Sequence, residues 1–181
     1  MLFRSRRKLF SPARGCYRDG EGSEHTALHA TLFPAAFGLL PPGTEEGAAA
    51  FIRSRGMACS VYGAQYLLEA CYRLGLDEYA MELMTAGHDR GWLNMLRAGS
   101  TVTLEAWDWR YKNNLDWNHA WGAAPANIVP RFVAGVRPAQ PGFETVLIAP
   151  QPGGLEQFEA TVPTWRGPVR EIGRASCRER V

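Results

Sequence analysis

The chain has 181 residues, a formal net charge of +2 and a hydrophobic share of 46%. That length suffices for a domain with a real core, and the composition excludes a disordered chain. So slight a charge argues against a nucleic-acid partner, and no apolar stretch is long enough for a membrane span or a secretory leader.

In chain order, Met1–Arg14 joins a basic cluster (Arg4, Arg6, Arg7, Lys8) to Leu2, Phe3, Leu9 and Phe10, the pattern of an amphipathic helix remnant. Gly15–His29 opens as a glycine-rich polar turn, with Asp19-Gly20 and Glu21-Gly22. It runs into a helix that Ser23 or Thr26 could cap and that carries Leu28, Leu32, Ala35 and Ala36 toward Leu39. Pro41-Pro42-Gly43 ends it, and Thr44 is the expected cap of a short helix whose Glu45 and Glu46 suit its positive end. Val61, Ala64, Leu68 and Cys71 then line one face of a helix closing at Gly75. Asp77 is the expected cap of the next, with Tyr79, Ala80, Leu83 and Met84 inward and Gly87 as its stop. Trp92–Arg97 reads as a helical turn or two. A further helix is expected over roughly Ala123–Val136, disturbed by Pro125 and Pro130.

The texture then changes. Phe143–Ala149 reads as a buried β-branched strand. In the next strand Phe158, Ala160 and Val162 alternate with Gln157, Glu159 and Thr161. The last eleven residues, Glu171–Val181, show neither strand alternation nor helical period, and closely match the in-frame translation of a common short-read sequencing adapter. We expect them to be non-native. Cys16, Cys59 and Cys71 are far apart, Cys177 lies in that tail, and no C-x-x-C pair exists. Free thiols suit a reducing compartment, so a cytoplasmic location is the expectation; export stays open, because the chain reads as opening inside a longer gene.

Gly99–Gly122 carries the chemistry. It holds Glu105, Asp108, Asp116, His119 and four tryptophans (Trp107, Trp109, Trp117, Trp121), and five of the chain's six tryptophans fall between Trp92 and Trp121. Indole faces stack on the apolar side of a pyranose while a carboxylate moves a proton or activates water, so the loop points to a carbohydrate site. Set beside Trp107, Glu105 is expected to be partly desolvated, with a raised pKa. His25 and His29 share a helix face but lack a third ligand at a recognisable spacing, and Asp19 and Glu21 do not follow a calcium loop. No metal and no cofactor are expected.

Several motifs together resemble glycoside hydrolase family 78, the bacterial α-L-rhamnosidases. They are Asp19-Gly20-Glu21-Gly22-Ser23 with Glu24-His25 and Leu28-His29-Ala30; Gly99-Ser100-Thr101 leading to Leu104-Glu105-Ala106-Trp107, the most specific part; and Asn118-His119-Ala120-Trp121-Gly122. Gly135-Val136-Arg137-Pro138, Pro141-Gly142-Phe143 and the strand ending Ala149-Pro150 extend the resemblance, which covers roughly Lys8–Arg170.

The resemblance implies a mainly α chain: the C-terminal part of an (α/α)₆ catalytic toroid over residues 1–140, then the beginning of a β-sandwich over 141–170, with 171–181 as the non-native tail. It implies an inverting hydrolase of terminal α-L-rhamnosyl residues, with a rhamnose-containing glycoside or oligosaccharide as partner. Glu105 falls at the family's general base, and His119 at a residue lining the sugar pocket; Trp107 and Trp121 are the candidate pocket walls. The family's general acid lies on the N-terminal half of the toroid, before Met1, so this segment alone is expected to be inactive. Two alternatives remain: a non-catalytic carbohydrate-binding module that uses the tryptophan-rich loop, or a toroid glycosidase of another specificity. Neither the oligomeric state nor the aglycone is readable from the sequence.

Overall fold

The computed structural model of the chain describes residues 2–174. They form two compact units, divided between Ala124 and Pro125.

The first unit is helical. Helix α1 (Leu2–Leu9) leads into a short hairpin of β1 (Phe10–Ser11) and β2 (Cys16–Tyr17). Five helices follow: α2 (Leu28–Ala36), α3 (Glu45–Arg55), α4 (Val61–Arg73), α5 (Asp77–Thr85) and α6 (Trp92–Arg97). Helices α2 and α4 pack side by side, α3 backs α2, and α5 backs α4, so consecutive helices alternate between two layers. The apolar stripe explains the arrangement: Leu28, Leu32 and Ala35 of α2 and Val61, Ala64, Leu68 and Cys71 of α4 are all buried. The hairpin joins this core through a hydrogen bond from the Tyr17 amide to the buried Thr31 hydroxyl (2.9 Å).

Three helix starts differ from expectation. Neither Ser23 nor Thr26 caps α2: its N-cap is Ala27, whose amide donates to Asp19 Oδ1 (2.8 Å), so the acid of the glycine turn does that work from outside the helix. Thr44 stands at the start of α3, but its hydroxyl donates back to the Pro41 carbonyl (2.6 Å) instead of accepting from the helix. Asp77 sits within the first turn of α5, where its charge meets the helix dipole, while Leu76 takes the cap position. Ser60 does cap α4, accepting from the Gly63 amide (3.2 Å).

The second unit opens with α7 (Ala124–Ile128), continued by a wider π-helical turn over Val129–Val133. Pro130 has no amide to donate, which favours this change of winding. Two antiparallel hairpins follow: β3 (Val136–Pro138) with β4 (Val146–Ile148), and β5 (Gln157–Val162) with β6 (Val169–Arg174). Ala134, Val136 and Val162 form a small core, against which Phe143, Phe158, Ala160 and Val169 pack. Gly135, at φ 72°, is held so tightly that a Cβ there would lie 2.2 Å from the Ala149 carbonyl carbon.

The strand expected over Phe143–Ala149 is shorter and not buried. Phe143 belongs to a turn, at φ 54°, and Val146, Leu147 and Ile148 are all exposed; among the described residues β4 pairs with β3 alone. In β5 the expected alternation appears, with Phe158, Ala160 and Val162 on the covered side. Glu171–Arg174, expected to lack strand character, complete β6 in register with Gln157–Ala160; the rest of the tail lies outside the described residues. Among the described residues no helix is long and apolar enough to cross a membrane.

Candidate active site

The tryptophan-rich loop is anchored from below by its own buried indoles. Gly99, at φ 89°, ends α6, and the Ser100 amide donates back to the Met95 carbonyl (3.1 Å). Trp107 is only 3% exposed; its indole N–H donates to the Cys59 carbonyl (2.7 Å), and its ring meets Trp92 edge-on at 5.0 Å. Trp92 in turn donates to the Gly122 carbonyl (2.6 Å), tying the far end of the loop to α6. Trp107, a candidate pocket wall by sequence, is therefore part of the core: both its face and its N–H are consumed by the scaffold.

Asp108 is likewise structural. Its carboxylate accepts from the Asn94 amide (3.0 Å) and the Arg110 backbone N–H (3.1 Å), with the Arg110 guanidinium 3.3 Å away. The Asn94 amide bond, then the Arg110 contacts, hold its pKa below the usual aspartate value.

Two rungs close the neck of the loop. The His119 amide donates to the Thr103 carbonyl (2.8 Å), and the Thr103 hydroxyl donates to the His119 carbonyl (2.6 Å). The Glu105 amide donates to the Asp116 carbonyl (3.0 Å). These pairings bring Glu105 and His119, fourteen positions apart, to one mouth.

Glu105 is 19% exposed by side chain. One oxygen, Oε1, is ion-paired with Lys112 Nζ, and the other, Oε2, accepts from the Asp116 amide (3.0 Å). Its pKa is lowered, chiefly by the Lys112 hydrogen bond and next by the Asp116 amide. The expectation that Trp107 would raise it by desolvation is overturned: Trp107 faces the core, and the neighbour that governs Glu105 is a cation.

His119 is half-buried. Its Nε2 shares a hydrogen bond with the Tyr62 hydroxyl (2.9 Å), and its ring packs edge-on against Tyr62 (5.4 Å) and Trp121 (6.1 Å). Trp121 is 77% exposed and also meets Tyr62 edge-on at 5.7 Å. Trp109 and Trp117, both exposed, form a second edge-to-face pair at 5.0 Å. The Asp116 carboxylate lies 3.8 Å from His119 Nδ1.

Glu105, His119 and Trp121 thus share one polar, aromatic-rimmed surface, and Trp107 stands beneath it. Such a surface offers an ionised carboxylate and an exposed indole, the two kinds of group that sugar chemistry uses. Tyr62 and Lys112 belong to the same surface and were not among the sequence candidates. Tyr62 had one available signal: it lies off the apolar stripe of α4, yet directly follows Val61 at the helix start. Lys112 had none, since no periodicity links it to Glu105. Of the two histidines noted at helical spacing, His25 engages Asp19 Oδ2 through its Nδ1 (2.5 Å).

The model of the bacterial α-L-rhamnosidase 6 hairpin glycosidase domain matches residues 6–133, and that of the bacterial α-L-rhamnosidase C-terminal domain matches residues 135–171. No curated protein matches significantly. Among solved structures, α-L-rhamnosidase from Dictyoglumus thermophilum superposes with a TM-score of 0.78 at 19% identity, covering 93% of this chain and 19% of that one. The Streptomyces avermitilis α-L-rhamnosidase complexed with L-rhamnose gives 0.70 at 20% identity, over 84% and 17%. The Aspergillus terreus α-L-rhamnosidase gives 0.70 at 18%, over 92% and 20%. The chain thus spans no more than a fifth of the length of these structures, to which it is similar in fold. Matched over most of its length, the chain belongs to the bacterial α-L-rhamnosidase six-hairpin glycosidase family.

Proposed function

We propose that this chain carries the general-base side of an inverting α-L-rhamnosidase, with Glu105 as the base. The observation that carries the reading is the geometry of its carboxylate: held by Lys112 on one oxygen and the Asp116 amide on the other, at the neck of the loop that also carries His119, with Trp121 packed edge-on against that histidine. An ionised carboxylate has about four lone-pair sites. Lys112 and the Asp116 amide use one on each oxygen, which leaves room for a water.

Inversion requires a second carboxylic acid roughly 6.5–9.5 Å from the first, with the attacking water on the opposite face from the leaving group. Asp108 is committed to Asn94 and Arg110, so we assign the acid to a part of the toroid outside this chain. The alternating helix layers support an (α/α)₆ ring, of which α2–α6 are one portion. The rhamnose in the Streptomyces structure supports a terminal α-L-rhamnosyl substrate, contacted by His119 and Trp121. Cys16, Cys59 and Cys71, free and buried among the described residues, support a cytoplasmic location.

Glu105→Gln in the complete enzyme tests the reading. Turnover of an aryl α-L-rhamnoside is expected to fall by orders of magnitude with the fold intact, and the wild-type product is expected to emerge first as the β-anomer by NMR. Near-normal turnover in the variant, or α-rhamnose as first product, overturns it.

A further inference from the structure

Glu105 and Lys112 meet by a route that the chain builds deliberately. The rung between the Glu105 amide and the Asp116 carbonyl closes the segment between them into a loop, and Lys112 lies within that loop, folded back onto Glu105 Oε1. The Lys112 side chain is 40% exposed, and its ammonium holds Oε1 while the Asp116 amide holds Oε2. We propose that Lys112 is a positioning residue for the general base, its ammonium keeping the Glu105 carboxylate charged and turned so that the free lone pairs face the substrate water. This rests on the assignment of Glu105 as the base.

The chemistry favours such a device. A general base must be unprotonated at the working pH, and partial burial of the Glu105 side chain works against its charged form. The charged and titratable groups facing Glu105 are Lys112, Asp116 and His119 of the loop and Tyr62 of α4. Only Lys112 is a permanent cation, and the lowered pKa of Glu105 agrees with its dominance. Lys112 itself is raised by the same hydrogen bond, so the pair stays charged on both sides over the whole neutral range.

The test compares Lys112→Met with Lys112→Arg in the complete enzyme, by the pH profile of kcat/KM on an aryl α-L-rhamnoside, with Glu105→Gln alongside. In Lys112→Met the acid limb is expected to move up by about one pH unit, with kcat lowered and KM nearly unchanged. Lys112→Arg, which keeps the cation, is expected to restore most of the wild-type profile. An acid limb unmoved in Lys112→Met, while Glu105→Gln is inactive, overturns the role of Lys112 and leaves the base assignment standing. Near-normal turnover in Glu105→Gln removes the base assignment itself. Carbon-13 titration of the Glu105 carboxyl in the unsubstituted enzyme needs no variant to fold. Titration below the ordinary glutamate value of about 4.3 is expected, and titration at or above it overturns the proposal.

Discussion

Glu105 and Asp116 are joined twice: the Glu105 amide donates to the Asp116 carbonyl, and the Asp116 amide donates to the Glu105 carboxylate, each at 3.0 Å. Both links use the backbone of Asp116, and its own carboxylate, 74% exposed, takes no part in them. Proximity alone would make Asp116 a candidate partner acid for Glu105. The geometry instead makes it a strut.

Asp116→Asn is therefore expected to keep turnover within a few-fold of wild type, because the backbone link survives and what changes is a 3.8 Å contact with His119 and a solvent-screened charge near Lys112 and Tyr62. Steady-state kinetics beside Glu105→Gln would check this. A loss as complete as that of Glu105→Gln would make Asp116 the second carboxylate.

Trp107 and Trp121 stand in opposite roles, which separates their substitutions. Trp107→Ala removes a buried indole and leaves the Cys59 carbonyl unpaired, so a destabilisation of about 3–5 kcal/mol is expected, with a large fall in melting temperature. Trp121→Ala removes a ring that is mostly in solvent, so the melting temperature should hold while KM for a rhamnoside rises about ten-fold, the loss of roughly 1.4 kcal/mol of stacking. Calorimetric melting with parallel kinetics would check both; equal melting shifts would contradict the division.

The difference between these two tryptophans also marks what the sequence could disclose. Helices α2, α4 and α5 were legible because apolar residues recur at helical spacing within each, Leu28, Leu32 and Ala35, then Val61, Ala64 and Leu68, then Ala80, Leu83 and Met84, and burial follows that period. The loop has no period, so composition located the site but could not say which indole faces inward. That was decided by the Cys59 carbonyl, which lies forty-eight residues from Trp107 in sequence. The same limit hid Lys112 and Tyr62, whose bonds to Glu105 and His119 depend on loop closure and on docking against α4. Strand β4 failed for a different reason: its apolar, β-branched content resembles that of a buried strand, yet all three of its residues are exposed and, among the described residues, it pairs with β3 alone.

Asp108 supplies the last prediction, one of pH. Its folded pKa is lowered by Asn94 and Arg110, while in the unfolded chain an aspartate titrates at about 3.9. A carboxylate depressed on folding adds stability that is fully present above the unfolded value and is lost as pH falls through the folded one. Asp19, Asp89 and Glu105 are lowered as well and act in the same direction, so the protein should hold its stability at mildly acidic pH and lose it progressively below about pH 4. Asp108→Asn removes one of these titrations. At neutral pH the variant should melt earlier, since the charge that Arg110 pairs with is gone. Below about pH 4 its melting temperature should fall less steeply than that of the wild type, because one proton fewer is taken up on unfolding. Melting curves followed by near-ultraviolet circular dichroism, which reports the packed indoles of Trp92 and Trp107, would read both effects. Parallel acid slopes in the two proteins would mean that Asp108 titrates alike in the folded and unfolded chains, contrary to its hydrogen bonds from two N–H donors.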